Sequence, residues 1–331
     1  MKNRIITLIA AAIFAITIPL AIAGCKKENN IIKINEVTHS VFYAPLYLAD
    51  ALGYFEEEGF KVDITNGGGA DKTMAAVLAN EADVGFCGPE AVIYTYLGGS
   101  GDTPKVFGQL TKRDGSFLVG RTAEQNFDWT SLEGKNIIVG RPGGVPLMTF
   151  AYVLKGLNIN ANLVTNIDFN LMTAAFEGGT GDYCTMFEPT ASEYQKAGKG
   201  YILASVGQKA GEIPYTCFMA KSSYIEKNPD KIEGLLRAIT KAIKYLKQTD
   251  SETAAKLLAK YFDGTSEESL KTSVESYTKI DAWVDNMAMK ESAFNNLQDI
   301  IESAGELEKR VSFDSIVLTQ TAQKVYNEIY K

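Results

Sequence analysis

Between Gly53 and Tyr94 the hydrophobic spacing switches back and forth between two periods, and few architectures accept that order. Phe60-Lys-Val-Asp-Ile-Thr65 alternates apolar and polar residues, the period of a short strand. Gly67-Gly-Gly69 ends it, and Asp71 stands where it would cap a helix whose buried side carries Met74, Val77 and Leu78. Ala82 to Phe86 is a second strand, and Gly88-Pro-Glu90 opens another helix. Strand, glycine turn, helix, strand, turn, helix predicts a parallel α/β sheet. Both turns then fall at the carboxyl ends of strands, where open α/β sheets bind ligands.

The same grammar runs through most of the chain. Ile31 to Val37 reads as the first strand, followed by a turn and a helix entered through Pro45, with Leu48, Leu52 and Phe55 on its inner face. Pro104–Leu110 and Phe117–Arg121 read as strands joined by Lys112-Arg-Asp-Gly115, in which Asp114-Gly115 is a hairpin-type turn signal. After a polar interval the rhythm restarts with strands at Lys135–Val139, Leu163–Ile167, Tyr183–Phe187 and Tyr201–Ser205, interleaved with helices. Ile213 to Ala220 is an extended apolar return segment. Asn228-Pro229 starts a helix with a stripe at Ile232, Leu235, Leu236, Ile239, Ile243 and Leu246, and the remainder is helix-rich and expected to pack on the first lobe.

Composition narrows the class. A 331-residue chain with 46% hydrophobic content can fill up to about three domains. Lys2 and Arg4 precede an uncharged run from Ile5 to Ala23, and Ile22-Ala-Gly-Cys25 fits a lipobox, so residues 1–24 are expected to be a lipoprotein signal with Cys25 the lipid attachment. Residues 25–30 are then a tether. Loss of 1–24 removes Lys2 and Arg4 and no acid, moving the net charge from −7 to −9. An acidic body argues against nucleic acid as a partner. Cys87, Cys184 and Cys217 show no metal-ligand spacing and read as buried thiols. The one histidine, His39, leaves little for a metal site or a catalytic triad, and G-x-S-x-G is missing. No metal, cofactor or catalytic residue is expected.

Ala44-Pro-Leu-Tyr47, Gly53-Tyr-Phe55, Glu58-Gly59, Gly67-Gly68, Asn80 to Gly85, Gly140 to Gly144, Phe187-Glu-Pro189 and Asn228-Pro229 together carry a resemblance. Over about residues 31–320 the chain resembles the type II substrate-binding proteins of ABC importers. The branch is the one that includes nitrate-, alkanesulfonate- and pyrimidine thiamine-precursor-binding proteins. The resemblance implies an α/β, two-lobed periplasmic-binding-protein-like fold of type II, each lobe a mainly parallel sheet flanked by helices. Residues 31–118 and 217–331 would form lobe one, and 119–216 lobe two. It further implies a small-molecule ligand closed between the lobes, delivery to a permease and its ATPase, and a monomer held by its lipid on the extracytoplasmic face of a bacterial cell membrane. The family also holds eukaryotic pyrimidine synthases with a cysteine-rich iron motif, which this sequence lacks.

The strand-end rule selects the candidate ligand contacts. Phe42 and Tyr43 would stack on a planar ligand or pack helix to sheet, and His39 would bond ligand or backbone. Gly68 and Gly69 would offer amides at a helix start, and the turn from Cys87 to Glu90 faces the same side. Arg141 before Gly143 and Gly144 would grip an anionic group or form a surface ion pair. Glu90 and Glu188 would accept hydrogen bonds from an amino-substituted heterocycle or serve their own helix N-termini. The leading expectation is a small heteroaromatic nutrient of the pyrimidine or vitamin-precursor kind. An aliphatic sulfonate is the alternative binder reading, a pyrimidine-synthase-like enzyme the alternative of another class, and a sensory or adhesive lipoprotein a fourth.

Overall fold

The computed structural model describes residues 30–331, so the expected signal at 1–24 and the expected lipid-attachment residue Cys25 lie outside the described residues. The first βα units run β1 (Ile31–Glu36), α1 (Ala44–Ala51), α2 (Tyr54–Glu57), β2 (Lys61–Asn66), α3 (Ala70–Leu78), β3 (Val84–Cys87), α4 (Glu90–Leu97) and β4 (Pro104–Thr111). Next come β5 (Phe117–Gly120), β6 (Asn136–Ile138), α5 (Val145–Gly156), β7 (Asn162–Val164), α6 (Met172–Glu177), β8 (Tyr183–Met186), α7 (Thr190–Lys196), β9 (Tyr201–Ser205) and α8 (Val206–Ala210). After β10 (Thr216–Lys221) only helices remain: α9 (Ser222–Lys227), α10 (Pro229–Gln248), α11 (Ser251–Leu258), α12 (Glu267–Lys279), α13 (Glu291–Ser303), α14 (Phe313–Ile316) and α15 (Gln320–Tyr330).

Two five-stranded sheets share one topology. The first has the order β2-β1-β3-β10-β4 and the second β7-β6-β8-β5-β9. In each, parallel βα strands meet one antiparallel strand that has crossed from the other sheet's run of sequence: β10 lies between β3 and β4, β5 between β8 and β9. This is the two-lobed, mainly parallel α/β arrangement that the resemblance implied. The two crossing segments run side by side, with the Ile213 amide donating to the Lys112 carbonyl at 3.0 Å and the Tyr215 amide to the Thr111 carbonyl at 3.1 Å.

That crossing corrects the hairpin expected at Asp114-Gly115, because β4 and β5 belong to different sheets. The Asp114 carboxylate accepts the Ser116 amide at 2.6 Å, a local Asx turn. The glycine serves close approach: a Cβ on Gly115 would lie 2.7 Å from three atoms of the Phe42 ring. Phe42 itself is fully buried, 4.9 Å from the Tyr277 ring and 5.8 Å from the Tyr215 ring.

The helical remainder covers the first sheet. The stripe from Ile232 to Leu246 on α10 is buried throughout, against α1, α2 and α15. The same region also reaches the second lobe, since α13 touches α5 and α12 touches α7. Among the described residues no helix is long and apolar enough to cross a membrane.

Candidate functional site

The carboxyl ends of β1, β3, β6 and β8 converge on one cavity of about 590 Å³ between the sheets, within the range of small-molecule pockets. The first lobe contributes Tyr43, Met74, Leu78 and Tyr94, and the second Val145, Pro146, Phe169 and Phe187. Tyr215 and Thr216 line it from the return crossing. Helices α3, α4 and α5 all begin at its wall.

Two buried polar groups on this largely apolar space are left without a partner, the Glu90 carboxyl and the Tyr215 hydroxyl, and Glu90 is the ionisable acid of the two. It opens α4, is 2% exposed, and its Oε2 has no hydrogen-bond partner. Burial pushes its carboxyl up to about 8; the amides of Glu90, Val145 and Ala91 pull it down only in part. Val145 is the first residue of α5, so Glu90 sits at the seam between the lobes. Gly88 makes room for it, since a Cβ there would stand 1.9 Å from Oε2.

Arg141 also lines the cavity, but it is engaged. Its Nη2 lies 2.9 Å from Asp71 Oδ1 across the cleft, and its Nη1 3.5 Å from Asp168 Oδ1. Gly69, at φ +151°, lets this pair pack on the backbone: a Cβ would lie 2.5 Å from the Asp71 oxygen and 2.8 Å from the guanidinium. Asp71 is therefore a first-turn residue of α3 paired across the cleft, and the expected side-chain cap on that helix is not formed. With the Arg141 side chain 32% exposed and that of Asp71 64%, the pair is solvent-screened. Arg141→Ala is expected to shift the unfolding free energy by less than ~1 kcal/mol in urea denaturation.

Six of the candidate residues come together on the cavity: Tyr43, Gly69, Glu90, Arg141, Gly143 and Gly144. Five lie elsewhere, each for a local reason. His39 is held by Glu36 Oε1 at Nδ1 and the Tyr261 carbonyl at Nε2, both 2.7 Å, and the bond to Glu36 raises its pKa against the opposing effect of burial. Phe42 belongs to the aromatic core already described. The Gly68 amide is taken by Asn66 Oδ1 at 2.9 Å. Cys87 is buried opposite Cys217 in the sheet, and burial pushes its thiol up. Glu188 accepts the Ser192 amide at 2.9 Å and hydroxyl at 2.7 Å.

The cavity also holds residues that the sequence reading assigned elsewhere. Leu78 was expected on the buried side of α3; it is 36% exposed and lines the cavity with Met74 one turn earlier. Tyr94 lies one helical turn beyond Glu90, a spacing that could have found it. Tyr215 and Thr216 carried no signal beyond their place at the return crossing.

Comparison with known proteins agrees with this architecture. The chain is 40% identical to a Bacillus subtilis (strain 168) protein named "Putative binding protein YtlA", over 98% of this chain and 99% of that one. It is 26% identical to the 4-amino-5-hydroxymethyl-2-methylpyrimidine phosphate synthase of Aspergillus parasiticus, over 62% of this chain and 63% of that one. The alkanesulfonate-binding protein SsuA from Xanthomonas axonopodis pv. citri, solved bound to MOPS, superposes with a TM-score of 0.71 at 16% identity, covering 87% of this chain and 98% of that one. The model of the family described as NMT1/THI5 like matches residues 41–253. The two-lobed fold, the cavity at its strand ends and that match agree: the chain belongs to the NMT1/THI5-like family.

Proposed function

We propose that this protein is the extracytoplasmic solute-binding component of an ABC importer, anchored by lipid at Cys25, and that its solute is a small heteroaromatic amine of the pyrimidine or vitamin-precursor type. One observation carries the ligand class: an unpartnered, buried carboxyl oxygen of Glu90 in a cavity walled by Tyr43, Tyr94, Phe169, Phe187 and Tyr215. Aromatic walls suit a flat ring, and the lone carboxyl needs a hydrogen-bonding partner on its edge. The similarity to a pyrimidine phosphate synthase points to the same kind of molecule.

The reading is of a binder that delivers its solute unchanged to a permease. Supporting it, the relative at 40% identity is named a binding protein, and the single histidine is engaged at both ring nitrogens. Closure is expected about the paired crossing segments at 112–116 and 211–215, which join the sheets through few backbone bonds. With closure there, the proposed lobe one ends with β4 and resumes at β10 and lobe two runs from β5 to α8, within a few residues of the bounds read from sequence (31–118 and 217–331; 119–216). An aliphatic sulfonate would rely on Arg141, and that guanidinium is already paired with Asp71 and Asp168.

A thermal-shift panel tests the ligand class. Aminopyrimidines are expected to raise Tm by roughly 5 °C at a hundredfold excess over Kd. Alkanesulfonates and nitrate are expected to leave it in place. A sulfonate that raises Tm while every aminopyrimidine fails would overturn the proposal.

A further inference from the structure

The geometry points to a hydrogen-bonding mode for Glu90: it meets its ligand as a neutral carboxylic acid, donating one hydrogen bond and accepting another. It thereby selects a ring nitrogen flanked by an exocyclic amine. This rests on the heteroaromatic reading of the cleft and deepens it, naming which edge of the ring is read and by what.

Aromatic and neutral groups surround the carboxyl. Tyr43 faces it from the turn after β1, Tyr94 from one turn along α4, and Tyr215 from the return crossing. Cys87 at the end of β3 and Cys217 on β10 stand behind it, both neutral because burial pushes their thiols up. The charged groups on the same cavity are Asp71 and Arg141, and these are paired with each other at 2.9 Å. No uncommitted cation faces Glu90 among the described residues of its cavity.

A buried carboxylate without a counter-ion is costly, and the group avoids that cost by keeping its proton. The position near 8 reached through burial agrees with this geometry. Protonation changes what the residue can recognise. An ionised carboxylate only accepts hydrogen bonds, whereas the acid places one O–H donor beside one C=O acceptor. A 4-aminopyrimidine presents the complement on one edge: the ring nitrogen accepts and the adjacent amine donates. No proton need move on binding. A primary ammonium lacks the acceptor, and a sulfonate lacks the donor, so the acid form discriminates against both.

The probe is 4-amino-5-hydroxymethyl-2-methylpyrimidine, titrated calorimetrically into the full chain from pH 6 to 9.5. Above pH 8 the affinity of the unmodified protein is expected to fall, approaching about tenfold per pH unit. Glu90→Gln retains a donor beside an acceptor. It is expected to bind at least about tenfold tighter than Glu90→Ala, and the fall above pH 8 is expected to disappear. Protonation of the probe itself affects the Glu and Gln forms alike and cancels in their ratio. A flat profile for the unmodified protein, with Glu90→Gln as weak as Glu90→Ala, would overturn the neutral-acid mode and leave the heteroaromatic reading standing. If the unmodified protein does not bind the probe at any pH, both fall.

Discussion

Phe218→Ala is expected to lower the unfolding free energy by about 3–5 kcal/mol, the cost typical of emptying a buried aromatic site. Phe218 lies on β10, the antiparallel strand that returns to the first sheet between β3 and β4. Its side chain is fully buried and stacks on Phe86, the residue opposite it on β3, with centroids 4.2 Å apart and planes 12° from parallel. The Phe107 ring lies tilted beside it, with centroids 6.3 Å apart. The backbone ladder pins β10 on both edges, so the sheet cannot collapse into the space left by the ring. Urea denaturation should show the midpoint falling with an unchanged slope, the signature of lost stability at constant exposed area. A loss under about 1 kcal/mol would mean that the neighbouring rings close over the void.

The second large effect concerns Glu90 with the cleft empty, and it depends on pH. Burial raises the carboxyl from its ordinary 4.5 to about 8 in the folded chain. A group raised on folding contributes stability that is fully present below pH 4.5 and is lost as pH rises through 8. At about 1.4 kcal/mol per unit, the loss by pH 9 is on the order of 4–5 kcal/mol. Glu90→Gln has no proton to lose and escapes it. The stability difference between the variant and the unmodified protein should be flat below pH 4.5 and grow steadily to about pH 8. Asp114, raised to about 6, and Glu188, also raised, add their own pH dependence, but both forms share it and the difference removes it. A difference that stays constant from pH 4 to pH 9 would contradict the buried, uncompensated carboxyl.

The comparison of Glu90 with Glu188 shows how far the sequence could be read. Both follow a strand and open a helix beside a proline, so local pattern treats them alike. Four residues on, Glu188 meets Ser192, whose amide and hydroxyl satisfy its carboxylate. Glu90 meets Tyr94 at the same spacing and gains no such bond. Which glutamate keeps an unpartnered oxygen was thus partly written in the residue at i+4. The fate of Arg141 was not, because its partners Asp71 and Asp168 come from distant strand ends brought together by lobe packing.

β1 and the α10 stripe were legible because alternation and the 3.6 period report burial directly; β3, β5 and β8 are buried at every position and were legible as short apolar runs between turn residues. Asp114-Gly115 misled because the glycine answers to the Phe42 ring more than 70 residues earlier, a demand that no local window contains. His39 likewise looked available beside a strand end, while Glu36 and the Tyr261 carbonyl occupy both of its nitrogens.

The central claim is that the cleft between the sheets captures a small heteroaromatic amine. Mass spectrometry of the molecules released on denaturing freshly purified protein tests it most directly, with an Ala91→Trp variant, which fills the cavity wall beside Glu90, as the control. The account predicts one heteroaromatic amine recovered near equimolar amounts from the unmodified protein and lost from the variant. Recovery of a sulfonate or another small anion instead, or equal amounts of the same compound from both proteins, would contradict it.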